Sequence, residues 1–137
     1  MDAPPLAGLL LTTDNKKIMA FRFQKFPVYK EVKHYIKNVY SCSSNFPKEE
    51  QFGLINQLRR AATSIALNLA EGSDRGSDNE FGRFIQISIG SLNETVAIFD
   101  IALENNFINK ENYDIMLIQA ENIVKQLSGL RRSFKNC

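Results

Sequence analysis

The side chains in this sequence that are best suited to chemistry are cations. Contact with nucleic-acid phosphates needs only positive charge and reach, so arginines and lysines could gather into binding patches. The candidates for such patches are Arg59, Arg75, Arg83, Arg131, Arg132, Lys30, Lys33 and Lys37. The competing interpretation is that the arginines form structural ion pairs, and the carboxylates available for them are Glu71, Asp74, Asp78 and Glu80. No RNA-recognition motif or aromatic stacking platform is visible in the sequence.

Residues typical of catalysis or metal binding are sparse. His34 is the only histidine, and Cys42 and Cys137 lack the spacing of metal ligands. No Gly-x-Ser-x-Gly motif marks a nucleophile. The adjacent carboxylates Glu49 and Glu50 lie at a predicted helix start, where they complement the helix dipole. We therefore expect a protein that is not an enzyme and that needs no metal or cofactor.

Composition indicates a single globular domain. The chain has 137 residues, of which 44% are hydrophobic and 23% charged, and its formal net charge is +2. This small charge argues against a tail-driven nucleic-acid binder and leaves room for a local basic patch. Two distant cysteines do not suggest a disulfide framework, so we expect free thiols and a cytoplasmic protein. No apolar stretch is long enough to span a membrane.

The stretch from Gln57 to Gly72 is the helix around which the other elements must be arranged. Its apolar positions recur every three or four residues and are flanked by small side chains, so neighbouring helices can approach closely. Arg60, Asn68 and Glu71 lie near this crowded surface. They form either a buried polar network that fixes the helix register or a solvated polar face. Gly72 is expected to end the helix as a left-handed C-cap.

Apolar periodicity predicts four helices, over about residues 28–44, 47–71, 78–105 and 110–134. Pro47 suits the first turn of the second helix, Ser77 and Glu80 form a capping box for the third, and Asn109 is the expected N-cap of the fourth. Short connections between the helices favour an all-α, antiparallel up-down-up-down four-helix bundle. Residues 19–137 are expected to form this one domain. Residues 1–18 do not share its pattern and are interpreted as a flexible leader or a short docking segment.

The third predicted helix carries more apolar surface than one core seam requires. A first seam consists of Phe81, Ile85, Ser88, Leu92, Val96, Phe99 and Leu103. A second seam consists of Phe84, Ile87, Ser91, Ile98 and Ile101. The second seam predicts either a broad core stripe or a subunit interface. Gly53 in the second helix, and Gly82 and Gly90 in the third, are expected to allow close approach of a neighbour.

The second helix also resembles the signature of the 23S rRNA intervening-sequence proteins, or S23-type four-helix-bundle proteins. Residues 57–72 contain the matching pattern, which consists of Gln57, Leu58, Arg59, Arg60, Ala61, Ser64, Ile65, Asn68, Ala70, Glu71 and Gly72. Upstream, Phe46-Pro47-x-x-Glu50 is similar to that family's entry into the helix. Downstream, Glu80-Phe81-x-x-Phe84 and the run from Gly90 to Glu94 resemble its third helix. The resemblance spans about residues 26–134 and implies the same four-helix fold.

The resemblance implies more than a fold. Relatives that include the accessory protein of diversity-generating retroelements form homopentameric rings, which implies a homopentamer here. Relatives are encoded within rRNA genes or act with a reverse transcriptase and its RNA, which favours RNA as a partner. The alternative is a structural scaffold or protein-interaction module without a nucleic-acid role. An exposed apolar patch would distinguish that alternative from a basic binding surface.

Overall fold

Four helices account for most of residues 21–134, the part of the chain that the computed structural model describes. A 3₁₀ turn, Arg22–Lys25, comes first. The helices are α1, Pro27–Ser43; α2, Asn56–Ser73; α3, Asp78–Glu104; and α4, Lys110–Arg132. No strand occurs within the described residues. The leader predicted over residues 1–18 lies outside them.

The helices pack in sequence order, and α4 closes the arrangement by packing against α1. This is the antiparallel up-down-up-down four-helix bundle that the spacing predicts. Its four sides are each formed by two neighbouring helices. The α1/α2 side is opposite the α3/α4 side, and the α2/α3 side is opposite the α1/α4 side. Within residues 21–134, no helix is both long and apolar enough to cross a membrane.

One apolar stripe from each helix fills the centre of the bundle. Periodicity places the stripe on a single face of each helix, so all four can be buried together. The largest fully buried side chains are Tyr35, Phe81, Phe99, Leu58, Ile65, Leu69, Ile85, Leu92, Met116, Ile123, Leu127 and Val32. The first predicted seam of α3 lies in this core, with Val96 and Leu103 half-buried at its margin.

The second predicted seam of α3 is divided between core and surface. Ile98 is buried and Phe84 is half-buried, so part of the seam broadens the core. Ile87 and Ile101 are about half exposed. Because α3 lies between α2 and α4, residues on its outward face have no helix of the same chain to cover them.

The second helix is less regular than the single helix predicted over residues 47–71. Lys48–Glu50 forms a 3₁₀ turn and Gln51–Ile55 a π-helical turn, so α2 begins only at Asn56. Gly53 has φ −110° and ψ −106°, which breaks the helical hydrogen-bond ladder. Glycine is a poor helix former, and here that preference decides the backbone path. The close packing expected at Gly53 is absent, since Gly53 is exposed.

Gly72 has a different role from the predicted C-cap. The helix continues to Ser73, and none of the described glycines has a positive φ. A Cβ on Gly72 would lie 2.3 Å from Cβ of Phe84 on α3. Glycine is required there because the backbone of α2 touches a side chain of α3. At Gly90, by contrast, a Cβ would meet nothing within 4 Å, so the close approach expected there is wrong.

Both predicted N-cap residues accept the expected hydrogen bond, which for α3 is the Ser77 half of the predicted capping box. Ser77 Oγ accepts a hydrogen bond from the backbone N–H of Glu80 at 3.1 Å. Asn109 Oδ1 accepts one from the backbone N–H of Asn112 at 2.8 Å. Each cap satisfies an amide that has no partner inside its own helix. Both caps fix where α3 and α4 begin, and thereby fix which residues face the core.

Candidate nucleic-acid interface

The outer face of α1 carries the clearest concentration of positive charge. Lys30, Lys33, His34 and Lys37, hereafter the α1 basic face, are exposed and line one shallow groove. Their spacings of three and four residues keep them on the same side of the helix, opposite its buried stripe. Ion pairs within the described part of the chain involve other residues. The three predicted lysines are therefore brought together and are available to an external anion.

Arg59 extends this charge from α1 onto α2. Its Nε donates a hydrogen bond to Ser43 Oγ at 2.9 Å, and its Nη2 donates to the Tyr40 carbonyl at 3.4 Å. The guanidinium carbon lies 4.6 Å from the centre of the Tyr40 ring. These contacts hold the cation against the negative end of the α1 dipole. Arg59 is thus a fixed, half-buried cation at the C-terminal end of α1.

Arg75 is engaged in the kind of structural ion pair that the sequence left open. Its Nη2 lies 2.6 Å from Glu71 Oε1, one helical turn away. Its guanidinium carbon lies 4.8 Å from the centre of the Phe84 ring. The Glu71 carboxylate offsets the charge that Arg75 can offer to phosphate. Arg75 is consequently a weaker candidate for nucleic-acid contact than the lysines of α1.

A second set of arginines lies where α3 begins and α4 ends. Arg131 Nη1 donates a hydrogen bond to Gln86 Oε1 at 2.8 Å, which ties α4 to α3. Its buried Nε has no hydrogen-bond partner. Arg83, one turn before Gln86, and Arg132 are exposed. The three predicted arginines therefore share one end of the bundle, away from the centre of the α1 basic face.

The predicted polar network of Arg60, Asn68 and Glu71 does not form within one chain. Arg60 and Glu71 are exposed, and Glu71 pairs with Arg75. The three predicted side chains do not meet, because Arg60 and Glu71 point outward from α2, whereas Asn68 turns toward α3. A smaller network replaces it: Asn68 Nδ2 donates to Ser64 Oγ at 2.9 Å, and Ser91 Oγ of α3 donates to the same oxygen at 3.0 Å. The part-buried contact between α2 and α3 is made by serines.

Exposed apolar side chains lie on two opposite sides of the bundle. On the α2/α3 side, Phe52 is 92% exposed and shares a groove with Ser91 and Glu94 of α3. Leu67 is 67% exposed on the outer face of α2. On the α1/α4 side, Ile118 is 70% exposed, and Ile115 beside it is about half exposed. Contiguous exposed apolar patches mark candidate subunit contacts, so both sides are candidates for contact with another copy of the chain.

Two contributors to the surface were missed from the sequence. Tyr40 lies on the face of α1 that carries Lys33, seven residues earlier, and the spacing of Tyr29, Lys33 and Tyr40 was a usable signal. Phe52 carried no signal, because its exposure follows from the π-helical turn.

Among the described residues, no group of three or more histidine, cysteine or acidic side chains is placed to hold a metal ion. Cys42 is half-buried, and burial raises the pKa of its thiol.

Comparison with known proteins decides the family. The sequence model of the 23S rRNA-intervening sequence protein family matches residues 24–129. The chain belongs to this family. No curated protein matches the chain. The matched region begins at the 3₁₀ turn before α1 and ends three residues before the end of α4, so it includes three whole helices and most of the fourth in this 23S rRNA-intervening sequence protein.

A solved structure has the same fold. The crystal structure of a protein with unknown function from the S23 ribosomal protein family of Bacteroides thetaiotaomicron is similar, with a TM-score of 0.67 and 23% sequence identity. The similarity covers 76% of this chain and 97% of that chain. At this identity the comparison supports the four-helix bundle of the 23S rRNA-intervening sequence protein and carries no functional information.

Proposed function

We propose that this 23S rRNA-intervening sequence protein is a non-catalytic, cytoplasmic RNA-binding protein. Its main contact is the α1 basic face, and Arg59 adds a fixed charge beside it. One observation carries the proposal: three lysines and a histidine line a single groove, and the ion pairs of the described chain leave them free. Lysines bind phosphates as flexible point charges, and several on one face can neutralise successive phosphates of a nucleic-acid backbone.

The arginines at the start of α3 and the end of α4 are secondary candidates in this proposal. Arg83 and Arg132 are exposed and able to reach phosphate, whereas Arg131 is partly committed to Gln86. Arg75 is assigned no direct contact because of its ion pair with Glu71. The proposal therefore rests on α1 and not on the overall net charge.

The test compares two charge-matched triple variants. The first carries Lys30→Ala, Lys33→Ala and Lys37→Ala, which removes the lysines of the α1 basic face. The second carries Lys48→Ala, Lys110→Ala and Lys125→Ala, which removes three lysines elsewhere and changes the net charge equally. Binding to a fluorescent structured RNA is measured by anisotropy over a salt series, and thermal unfolding checks that each variant folds.

We expect the α1 variant to lose most of its affinity and the control variant to lose little. Each phosphate contact contributes about 0.7 on a single strand and about 0.9 on a duplex to the slope of log K against log salt, so the α1 variant should show a slope about 2 to 3 smaller on a structured RNA. Equal losses in both variants would indicate nonspecific attraction to net charge. Absence of binding by the wild-type protein at low salt would rule out the proposal.

We further propose that the protein forms a homo-oligomer, for which the family resemblance implies a pentamer. The observation that favours assembly is the exposed apolar surface on the α2/α3 side, with Phe52, and on the α1/α4 side, with Ile118. Two different surfaces on opposite sides of one subunit suit head-to-tail contacts, which close into a ring when the rotation allows. This assembly is compatible with RNA binding and also serves the alternative function of a protein scaffold.

A further inference from the structure

We propose that the α1/α2 side of the bundle binds unpaired RNA bases, which stack on Tyr40 and Tyr29 while the lysines of the α1 basic face contact the backbone. This inference rests on the proposed function, RNA binding, and adds the kind of RNA that is bound. The structural basis is the alternation of aromatic rings and cations along this side of the molecule.

Tyr40 is the more accessible of the two rings. It is 43% exposed, and the Arg59 guanidinium lies over it at 4.6 Å from the ring centre. Two hydrogen bonds, to Ser43 Oγ and to the Tyr40 carbonyl, fix the guanidinium in place. Planar guanidinium groups and aromatic rings are the two kinds of surface on which proteins stack unpaired bases. Tyr40 and Arg59 together present such a surface without further ordering of the side chains.

Tyr29 lies three helical turns earlier, and its ring is half-buried against the core. Lys33 Nζ lies 4.9 Å from the centre of its ring, and the Phe23 ring meets it edge-on with a centroid separation of 4.9 Å. At 1.5 Å rise per residue, Tyr29 and Tyr40 are about 16 Å apart along α1. Lys33 and Lys37 lie between them on the outer surface. A strand that follows α1 would therefore meet a ring, two lysines and a second ring.

Duplex RNA would leave these rings unused. Its bases are paired and stacked inside the helix, and proteins that bind it rely on backbone and 2′-hydroxyl contacts. Single-stranded RNA gains both from stacking on the rings and from attraction to the lysines, because each base offers a π-face and each phosphate a charge. The combination of aromatic rings with lysines therefore favours unpaired RNA over a duplex of equal length.

The proposed subunit contacts leave this surface open. They use the α2/α3 and α1/α4 sides, where Phe52 and Ile118 are exposed. Tyr29, Tyr40 and Arg59 lie on the α1/α2 side. An assembled protein would present one such surface from every subunit, so base stacking and oligomer formation do not compete for the same residues.

The test uses the full-length protein and two fluorescent RNAs of equal length, one an unstructured 12-nucleotide strand and one the same strand annealed to its complement. The variant is Tyr40→Leu, which keeps apolar volume and removes the ring, and its control is Tyr40→Phe, which keeps the ring. A 2-aminopurine base within the single strand reports stacking through its fluorescence. Thermal unfolding establishes that both variants fold.

We expect wild-type protein to bind the single strand at least tenfold more tightly than the duplex. Tyr40→Leu should weaken single-strand binding about tenfold and reduce the quenching of 2-aminopurine, with an unchanged salt slope, because the loss is one of stacking and not of charge. Tyr40→Phe should bind like wild type. Wild-type protein tests the preference for unpaired bases even if Tyr40→Leu does not fold.

Duplex binding as tight as single-strand binding would overturn this inference and leave the proposed RNA-binding function standing. The same conclusion would follow if Tyr40→Leu bound the single strand as wild type does. Failure of wild-type protein to bind either RNA would instead remove the proposed function itself, and the inference with it.

Discussion

Tyr35 of α1 and Thr95 of α3 meet in the centre of the bundle, where their hydroxyl oxygens lie 2.8 Å apart and both side chains are fully buried. Thr95 Oγ1 also donates a hydrogen bond to the Leu92 carbonyl at 2.6 Å. A threonine hydroxyl has one proton, so Tyr35 must be the donor to Thr95. This chain of hydrogen bonds joins two helices on opposite corners of the bundle.

Because Tyr35 is the donor, removing the Tyr35 hydroxyl and removing the Thr95 hydroxyl should lower the free energy of unfolding by different amounts. Tyr35→Phe leaves Thr95 bonded to Leu92 and should lower the free energy of unfolding by about 1 kcal/mol. Thr95→Val leaves the buried phenol without an acceptor and should cost about 2 kcal/mol or more. The double variant should therefore be more stable than Thr95→Val alone. Urea unfolding of all four proteins measures this cycle, and a Tyr35→Phe change costlier than Thr95→Val would contradict the assignment of the donor.

Stability should also decline at alkaline pH because of Tyr35. Burial raises its pKa from 10.0 to about 12. Between these values the folded protein keeps a proton that the unfolded chain releases, so the free energy of unfolding falls as pH rises. The loss at pH 11 should be about 1.4 kcal/mol relative to pH 9. Tyr35→Phe, measured in parallel by urea unfolding, should lack this pH-dependent loss. If the difference in free energy of unfolding between wild type and Tyr35→Phe stays constant from pH 9 to pH 11, Tyr35 is not the cause.

Gly72→Ala should be strongly destabilising. The added Cβ would lie 2.3 Å from Cβ of Phe84 and 3.0 Å from its Cγ, so α2 and α3 would have to separate. Overpacking of this kind costs about 1–3 kcal/mol. Gly90→Ala is the matched control, because its Cβ meets nothing within 4 Å and alanine favours a helix interior by about 1 kcal/mol. Thermal unfolding should thus move the melting temperatures of the two variants in opposite directions.

The proposed oligomer predicts that charge on either apolar surface disrupts assembly. Phe52→Lys on the α2/α3 side and Ile118→Lys on the α1/α4 side should each shift the protein toward monomers. Asn93→Lys, an exposed position on the α3/α4 side, adds the same charge outside the proposed contacts and should leave assembly unchanged. Light scattering coupled to size-exclusion chromatography gives the mass of each variant. A monomeric wild-type protein would end the proposal.

The bundle was predictable from the sequence because each helix has one periodic apolar face. The caps at Ser77 and Asn109 depend on local hydrogen bonds, which spacing alone indicates. The π-helical turn at Gly53 was not predictable, since its backbone conformation is one of several open to glycine. The role of Gly72 was also missed. Phe84, on a different helix, leaves no space for a Cβ at this position, and the sequence does not show that the two residues are in contact.

The sequence predicted which cations belong to the candidate interface. It could not predict which of them are engaged by other side chains of the same chain. Lys30, Lys33 and Lys37 share a helix face, and helical spacing is enough to predict that. Whether Arg75 meets Glu71 or solvent, and whether Arg131 reaches Gln86, depends on rotamers and on the distance between helices. Spacing likewise cannot show that Arg59 lies over Tyr40, because the two residues belong to different helices.

The contact between Gly72 and Phe84 has a consequence for the order of folding. Only residues 74–77 separate α2 from α3, so bringing these helices together closes a short loop and costs little chain entropy. Their backbones also approach closely, which makes their contact early and specific. We therefore expect the α2–α3 hairpin to be formed in the transition state, so that Gly72→Ala slows refolding in stopped-flow measurements. Truncations on α4, such as Ile123→Val, should instead mainly accelerate unfolding.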